Sequence, residues 1–360
     1  MIRTLTVLSV GPSVTLQDNG RPGWLAQGLS QGGAADTLAL AEGRALLGQR
    51  TGAALEMAGF GGRFQASHAC RIALTGAPMD ARIDDGAPLA WNASHAMPAG
   101  AILQIGGVRT GSYGYLHIGG GFHGPSHSPE VGVEILGSPS AHLMAGIGRT
   151  LSAGDRLHLG EDKGGETGRT LPIDPRFDGG EIRIVPSLQT PLFSASELAR
   201  LQATPFRRDP RANRMGVKMV PETGGGFAAE GQLNILSEII VPGDIQMTGD
   251  GTPFVLLAEC QTTGGYPRIG AVIPPDLPRV AQASPGSVLR FRFISREDGV
   301  AAMSRDAAHR RALPTAARPL LRDPALMSDL LSYTLISGMI DAQADPFALS
   351  GPTGARALRN

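Results

Sequence analysis

The chain has 360 residues, enough for two domains with apolar cores, and its 42% hydrophobic and 18% charged content is ordinary for a globular protein. Lys plus Arg and Asp plus Glu both count 32, so the basic excess by which nucleic-acid binders are recognised is missing. Fifty glycines and 27 prolines without a collagen period point to many turns between short strands, and so to a mainly β fold.

Residues 1–8 alternate like a strand and lack the apolar stretch of a signal peptide, and no apolar run approaches the roughly 18 residues of a membrane span. Residues 5–16 read as a strand, a Gly11-Pro12 turn and a second strand that delivers Gln17-Asp18. A helix follows. Asp36 suits its N-cap, Leu38, Ala41, Ala45 and Leu46 share a face, and Gly48 stops it. From Ala53 to Leu159 short strands repeat, at 71–74, 101–105, 113–118 and 156–159. A glycine turn just before a strand recurs at Gly100, Gly154 and Gly286, which points to two similar halves in tandem. Residues 161–180, rich in glycine, proline and charge, are the linker candidate. After a strand at 181–185, Ser194 with Glu197 forms a capping box for a helix through Leu198 and Leu201. Strands then dominate to Phe293, with one short helix near 276–283. From Arg296 the composition shifts to Ala, Arg and Asp, and Asp323-Pro324 opens a helix through Leu326, Leu330, Leu331, Leu335 and Ile336.

Several motif matches fail on context. Gly119 through Gly124 spells G-x-G-x-x-G, but Pro125, Ser126 and Pro129 follow where a dinucleotide site needs a helix. Gly28-Leu29-Ser30-Gln31-Gly32 matches a nucleophile elbow and precedes a helix, yet its upstream context is turn-rich rather than a strand. His117, His123 and His127, with Glu130, read as solvated loop histidines, so no metal site is expected. Cys70 and Cys260 fit no zinc spacing and suggest reduced, buried thiols of a cytoplasmic protein. There is no Walker-type phosphate loop and no Met-Lys-Met biotinylation site, so the chain does not carry biotin itself.

The stretch that promises chemistry is Gln261-Thr262-Thr263-Gly264-Gly265-Tyr266-Pro267-Arg268-Ile269, which follows an apolar strand at 252–258. Its glycines bare backbone N–H groups that suit a carboxylate or an amide, and the plain alternative is a tight hairpin between two core strands. Gln17, Asp18 and Arg21 crowd one glycine-rich turn. The planar fork of Arg214 suits a carboxylate, and Gln246 and Gln261 each offer an amide a donor and an acceptor together.

This stretch, with Gln17 through Gly23, Arg214-Met215-Gly216 and residues 237–246 and 271–282, resembles the biotin-dependent carboxyltransferase-like family. That family is also called allophanate hydrolase subunit 2, the C component of 5-oxoprolinase or the Kip antagonist type, and it includes the carboxyltransferase region of urea carboxylase. The likeness runs through most of residues 1–298. It implies two tandem cyclophilin-like β-barrels at 1–165 and 180–298, a few short helices, and a C-terminal tail at 299–360 with one helix. It implies a cytoplasmic subunit of an ATP-dependent amide or lactam hydrolase that turns 5-oxoproline into glutamate. Carboxyl transfer from carboxybiotin to urea or a related small amide is the alternative, and a regulator that antagonises a kinase-inhibitor sister subunit is the third reading. The implied partners are a sister subunit similar to allophanate hydrolase subunit 1 and a lactam-utilisation-type subunit, with ATP and magnesium on the complex and no covalently bound cofactor. Asp18, Arg214 and Gln261 are the implied catalytic residues. Gln17, Arg21, Ser138, Gln246, Gly264, Gly265 and Tyr266 are the implied substrate-binding residues. In this sequence the family's Gly-Ser-Arg-Ser-Thr loop reads Gly137-Ser138-Pro139-Ser140-Ala141, followed by His142, and Pro139 removes a cation and a backbone donor. Ser187-Leu188 stands where Gly-Pro is usual, and Gly43 and Gln49 where asparagines are usual. Because polar turns occur in both halves, Asp18 and Arg214 are expected to line one cleft between them, with Tyr266 along its wall.

Overall fold

The alternating opening residues become the strand Thr4–Val10, the second strand of a five-stranded antiparallel sheet. Across that sheet run Arg156–His158, Thr4–Val10, Phe60–Ala66, Ile102–Val108 and Met79–Ile83. A second sheet begins with Val14–Gln17, Ala54–Ala58, Tyr113–Ile118, Cys70–Gly76 and Ala93–Met97, and is extended by the short strands Arg169–Thr170 and Arg318–Pro319. The inner faces of the two sheets share a core of Leu5, Val7, Leu16, Leu55, Phe64, Ile72, Leu103 and Leu116. The second half closes into a seven-stranded barrel around Phe206, Phe291, Ile182 and Ile245. The chain is therefore mainly β. The computed structural model describes residues 2–122, 131–229 and 236–321. Residues up to Leu320 form one compact unit. The helix expected at 323–336, and His123, His127 and Glu130, lie outside the described residues. No helix among the described residues is long and apolar enough to cross a membrane.

The turn chemistry is as local as the sequence suggests. Gly100, Gly154 and Gly286 sit at φ of 78°, 93° and 81°, a backbone region nearly closed to residues with a Cβ. Asp36 caps helix α1 (Thr37–Leu47) by accepting from the N–H groups of Leu38 and Ala39, and Gly48 ends it in the left-handed conformation. Ser194 caps α2 (Ala195–Ala203), and α3 spans Leu277–Gln282. A fourth helix, α4 (Arg296–Ala316), is not announced by any apolar stripe. It buries only Gly299, Ala302 and Leu313 along 21 residues, and it is tied to α1 by Arg310 donating to the Thr37 carbonyl at 2.8 Å. Its start is nevertheless a standard Ser295 cap on the N–H of Asp298.

Three expectations change. The apolar run before residues 261–269 does not turn back in a tight hairpin. Pro253–Leu256 and Arg268–Val272 both pair with Asp244–Met247, which lies between them, so residues 257–267 cross over a strand. The segment 161–180 is fastened along its length. Asp162 takes two hydrogen bonds from Arg71, and Arg176 is buried with Asp36 and Glu42. His117 is not a solvated loop residue. It is a fully buried strand residue beside Thr75 Oγ1 at 2.9 Å, and burial pushes its imidazole pKa down to about 3, with Arg44 adding to the shift.

His117 also explains Gly43, where the family likeness leads one to expect asparagine. A Cβ on Gly43 would lie 2.2 Å from the imidazole ring. Gly43→Ala is expected to destabilise by roughly 1–3 kcal/mol in urea denaturation, and His117→Ala in the same chain to recover part of that loss.

Arg176 stands between two buried carboxylates. It donates to Asp36 Oδ2 at 2.7 Å and to both oxygens of Glu42 at 3.1 and 2.7 Å. One cation does not neutralise two acids, and burial pushes the Glu42 pKa from 4.5 up to about 7 despite the pull of Arg176. The folded state thus holds a proton there that the unfolded state has lost, so this stabilisation is full below pH 4.5 and vanishes as pH rises through about 7. The melting temperature of the wild type, measured relative to Glu42→Gln, is expected to fall as pH is raised from 5 to 7.5.

Candidate functional site

Two buried carboxylates, one on a strand of the first half and one in a turn of the second, are joined by Arg214. Glu56 lies in Ala54–Ala58, Glu259 follows Pro253–Leu256, and each side chain is 2% exposed. Arg214 Nε donates to Glu259 Oε1 at 2.6 Å, Nη1 to Glu56 Oε1, and Nη2 to the Gly33 carbonyl. Burial alone pulls the guanidinium pKa down, but the two glutamates outweigh it and hold the group charged. The remaining oxygens are also used. Glu56 Oε2 accepts from Tyr115 Oη at 2.6 Å and from the Ala35 N–H at 2.8 Å. Glu259 Oε2 accepts from the N–H groups of Leu143 and Met144 at 3.1 and 3.4 Å. One guanidinium therefore ties the strand of Glu56, the loop at Gly33 and, through Glu259, the turn after His142.

Around this clamp the two halves leave two cavities that share Met144 and Glu259. The larger, about 430 Å³, is lined by Gly28–Ser30, by His142, Met144 and Ala145, and by Glu259 through Thr263. The smaller, about 280 Å³, is lined by Thr15, Glu56, Tyr113, Leu143 and Arg214 among others. In the larger one, Ser30 Oγ lies 2.8 Å from His142 Nε2, and Gly32 leaves room for the ring, since a Cβ there would come within 2.8 Å of it. Cys260 is not a ready nucleophile, because burial, reinforced by Asp244, pushes its thiol up to about 12.

The sequence-predicted residues separate into three groups. Gln261 lines the larger cavity and Arg214 the smaller, so the inter-half cleft draws on both. Asp18 lines neither. Its Oδ1 accepts from the Gly20 N–H at 2.8 Å and from the hydroxyls of Ser138 and Ser140 at 2.6 and 2.5 Å. Arg21, wholly buried, donates to the carbonyls of Ile135, Ser138 and Ser140. Gln17, equally buried, donates to Thr15 and the Ala141 carbonyl. Gln17, Asp18, Arg21 and Ser138 thus make one bracket that fixes the 135–141 loop, and Asp18 shares neither of these two cavities with Arg214. Arg214 is likewise spent on the protein's own acceptors rather than held open for a substrate carboxylate.

In the second half, Gln246 is buried beneath Gly264, where a Cβ would lie 2.5 Å from Gln246 Nε2. Gln246 Nε2 has no hydrogen-bond partner among the described residues. Gly264 pairs with Glu238 in a short ribbon, Gly265 is exposed, and Tyr266 is 49% exposed and lines neither cavity. Glu56, Glu259 and Ser30 with His142 were not among the predicted site residues. The two glutamates carried a signal, a lone carboxylate inside an apolar strand sequence, which requires a buried partner.

A family model described as carboxyltransferase domain, subdomain A and B, matches residues 27–293. The chain is 33% identical to the C component of 5-oxoprolinase from Haemophilus influenzae, over 82% of this chain and 92% of that one. It is similar to the solved structure of TTHA0988, with TM-score 0.70 and 30% identity, covering 81% of this chain but only 56% of that chain. It also shares its fold with Kluyveromyces lactis urea carboxylase, with TM-score 0.73 and 23% identity, covering 89% of this chain and 30% of that chain.

Removing Arg214 leaves two buried carboxylates facing each other. Arg214→Ala is expected to cost roughly 3–5 kcal/mol in urea denaturation, and Arg214→Lys, which keeps the charge but loses the fork, to cost less.

Proposed function

The chain belongs to the carboxyltransferase domain family, and on that premise we propose that it is one subunit of a multi-protein enzyme that opens a small lactam, 5-oxoproline, at the expense of ATP. The observation that carries this reading is the near end-to-end match to a protein named as the C component of 5-oxoprolinase, against partial coverage of the larger relatives. In this reading ATP phosphorylates the lactam carbonyl oxygen and ADP leaves, water adds to that carbon, the ring C–N bond breaks as the nitrogen takes up a proton, and loss of inorganic phosphate leaves glutamate. The larger cavity has room for a small lactam and draws its walls from both halves, as a ligand needing contacts on several sides requires. Gln261 presents an amide that pairs with the lactam's N–H and carbonyl together. Arg214 acts indirectly, by holding Glu259 and through it the turn that carries His142.

Asp18 Oδ1 already accepts three hydrogen bonds, and no group of three or more His, Cys, Asp or Glu side chains is placed to hold a metal among the described residues. The reading therefore gives nucleotide and metal to partner subunits, similar to allophanate hydrolase subunit 1 and a lactam-utilisation type, and gives this chain positioning. Leu143 and Met144, 41% and 54% exposed beside the cleft, suit a rim that a sister subunit covers. Release of glutamate from 5-oxoproline by the purified partner set is expected to need this chain. Equal rates with and without it would sink the reading.

A further inference from the structure

A motif that the lactam chemistry leaves unused meets the histidine that follows the 137–141 loop. Ser30, the central residue of Gly28-Leu29-Ser30-Gln31-Gly32, and His142 come from opposite ends of the first half. They meet at 2.8 Å in the wall of the larger cavity, where they are 2% and 3% exposed. Resting on the lactam reading, we propose that Ser30 is a substrate-binding residue whose hydroxyl donates to an acceptor oxygen of the substrate, a lactam carbonyl or a carboxylate. His142 is the positioning residue that assigns it the donor role.

The direction of the hydrogen bonds follows from one backbone group. The Ala145 N–H is shared between the His142 carbonyl at 3.0 Å and His142 Nδ1 at 3.3 Å. A backbone N–H only donates, so Nδ1 accepts, and the proton of the neutral ring sits on Nε2. Nε2–H then donates to Ser30 Oγ. The hydroxyl's own hydrogen has no acceptor among the described residues, and Ser30 lines the cavity. The ring is kept neutral chiefly by burial, with Arg214 and Arg21 acting the same way and Glu259 opposing. The result is a chain of three donors ending at a hydroxyl beside the cavity.

The same tautomer separates this site from a serine nucleophile. Such a serine needs an unprotonated ring nitrogen to take its proton, and here the nitrogen facing Ser30 carries one. No covalent step is assigned to Ser30. Neighbouring Glu259 does not compete for the hydroxyl's hydrogen, because both its oxygens already accept from Arg214, Leu143 and Met144.

The test uses the complete complex with 5-oxoproline, each variant first checked by thermal denaturation. Ser30→Ala is expected to raise KM roughly three- to tenfold, as loss of one hydrogen bond does, with a smaller change in kcat. Ser30→Thr, which keeps the hydroxyl, recovers most of that loss. His142→Ala raises KM in the same direction, and His142→Gln, whose amide N–H replaces Nε2–H, recovers most of it, which a merely structural role would not produce. Should Ser30→Ala fail to fold, Ser30→Cys serves in its place. An unchanged KM in Ser30→Ala, or a covalent adduct on Ser30 in intact mass spectra of the turning-over complex, overturns the proposal and leaves the lactam reading standing. A wild-type complex that releases glutamate no faster with this chain than without it removes both.

Discussion

A charge buried between two halves of a protein is costly unless its geometry is filled on every side, and Arg214 is filled on every side. It spans Glu56 of the first half and Glu259 of the second, and closes on the Gly33 carbonyl. Two carboxylates around one cation leave a net negative charge in the interior. Their remaining oxygens are quenched by the Tyr115 hydroxyl and by the N–H groups of Ala35, Leu143 and Met144. The same arithmetic recurs at Arg176 between Asp36 and Glu42, with Gln282 of the second half donating to Asp36 Oδ2 at 2.9 Å. Polar groups satisfied across a seam fix its register more narrowly than apolar surface would, because a shift of an ångström strands a charge.

That constraint decides the geometry of the cleft. Glu259 holds the turn after His142, the Gly32 N–H reaches the Ala258 carbonyl at 3.1 Å, and Arg214 holds Gly33. The loop of Ser30 and the turn of His142 are therefore both referenced to the strand end that carries Glu259 and Gln261. A site built from three segments gains its precision from such shared anchors rather than from any one loop.

The departures from the family pattern have compensations nearby. Gly43 leaves room for a buried His117, and Gln49 bridges the helix end to the end of the strand Tyr113–Ile118 by donating to the Ile118 carbonyl and accepting from the Gly120 N–H. Ser187 donates to the Arg268 carbonyl, in a region where Arg268 also reaches Glu238, Asp244 and the Ile239 carbonyl. Pro139 has no N–H to give, and its neighbours Ser138 and Ser140 are held by their side chains on Asp18.

By itself the sequence determined what depends on a few neighbouring residues. Asp36 and Gly48 bound α1, Ser194 starts α2, three glycines take positive φ before strands, and the strands read at 71–74, 113–118, 156–159 and 181–185 lie within a residue or two of those formed. It also determined the family, because a run such as residues 261–269 keeps its identity as a string. Only the tertiary structure decided which polar residues face the cleft. Gln17, Asp18 and Arg21 have the same side chains whether they bind a ligand or a loop. Their fate turned on Ser138 and Ser140, some 120 positions away, arriving to accept and donate. Arg214 meets Glu56 across 158 positions, and Ser30 meets His142 across 112. No local preference encodes such pairings. They follow from the closure of both halves, which brings each buried donor to an acceptor because leaving it bare would cost more than any turn or cap contributes.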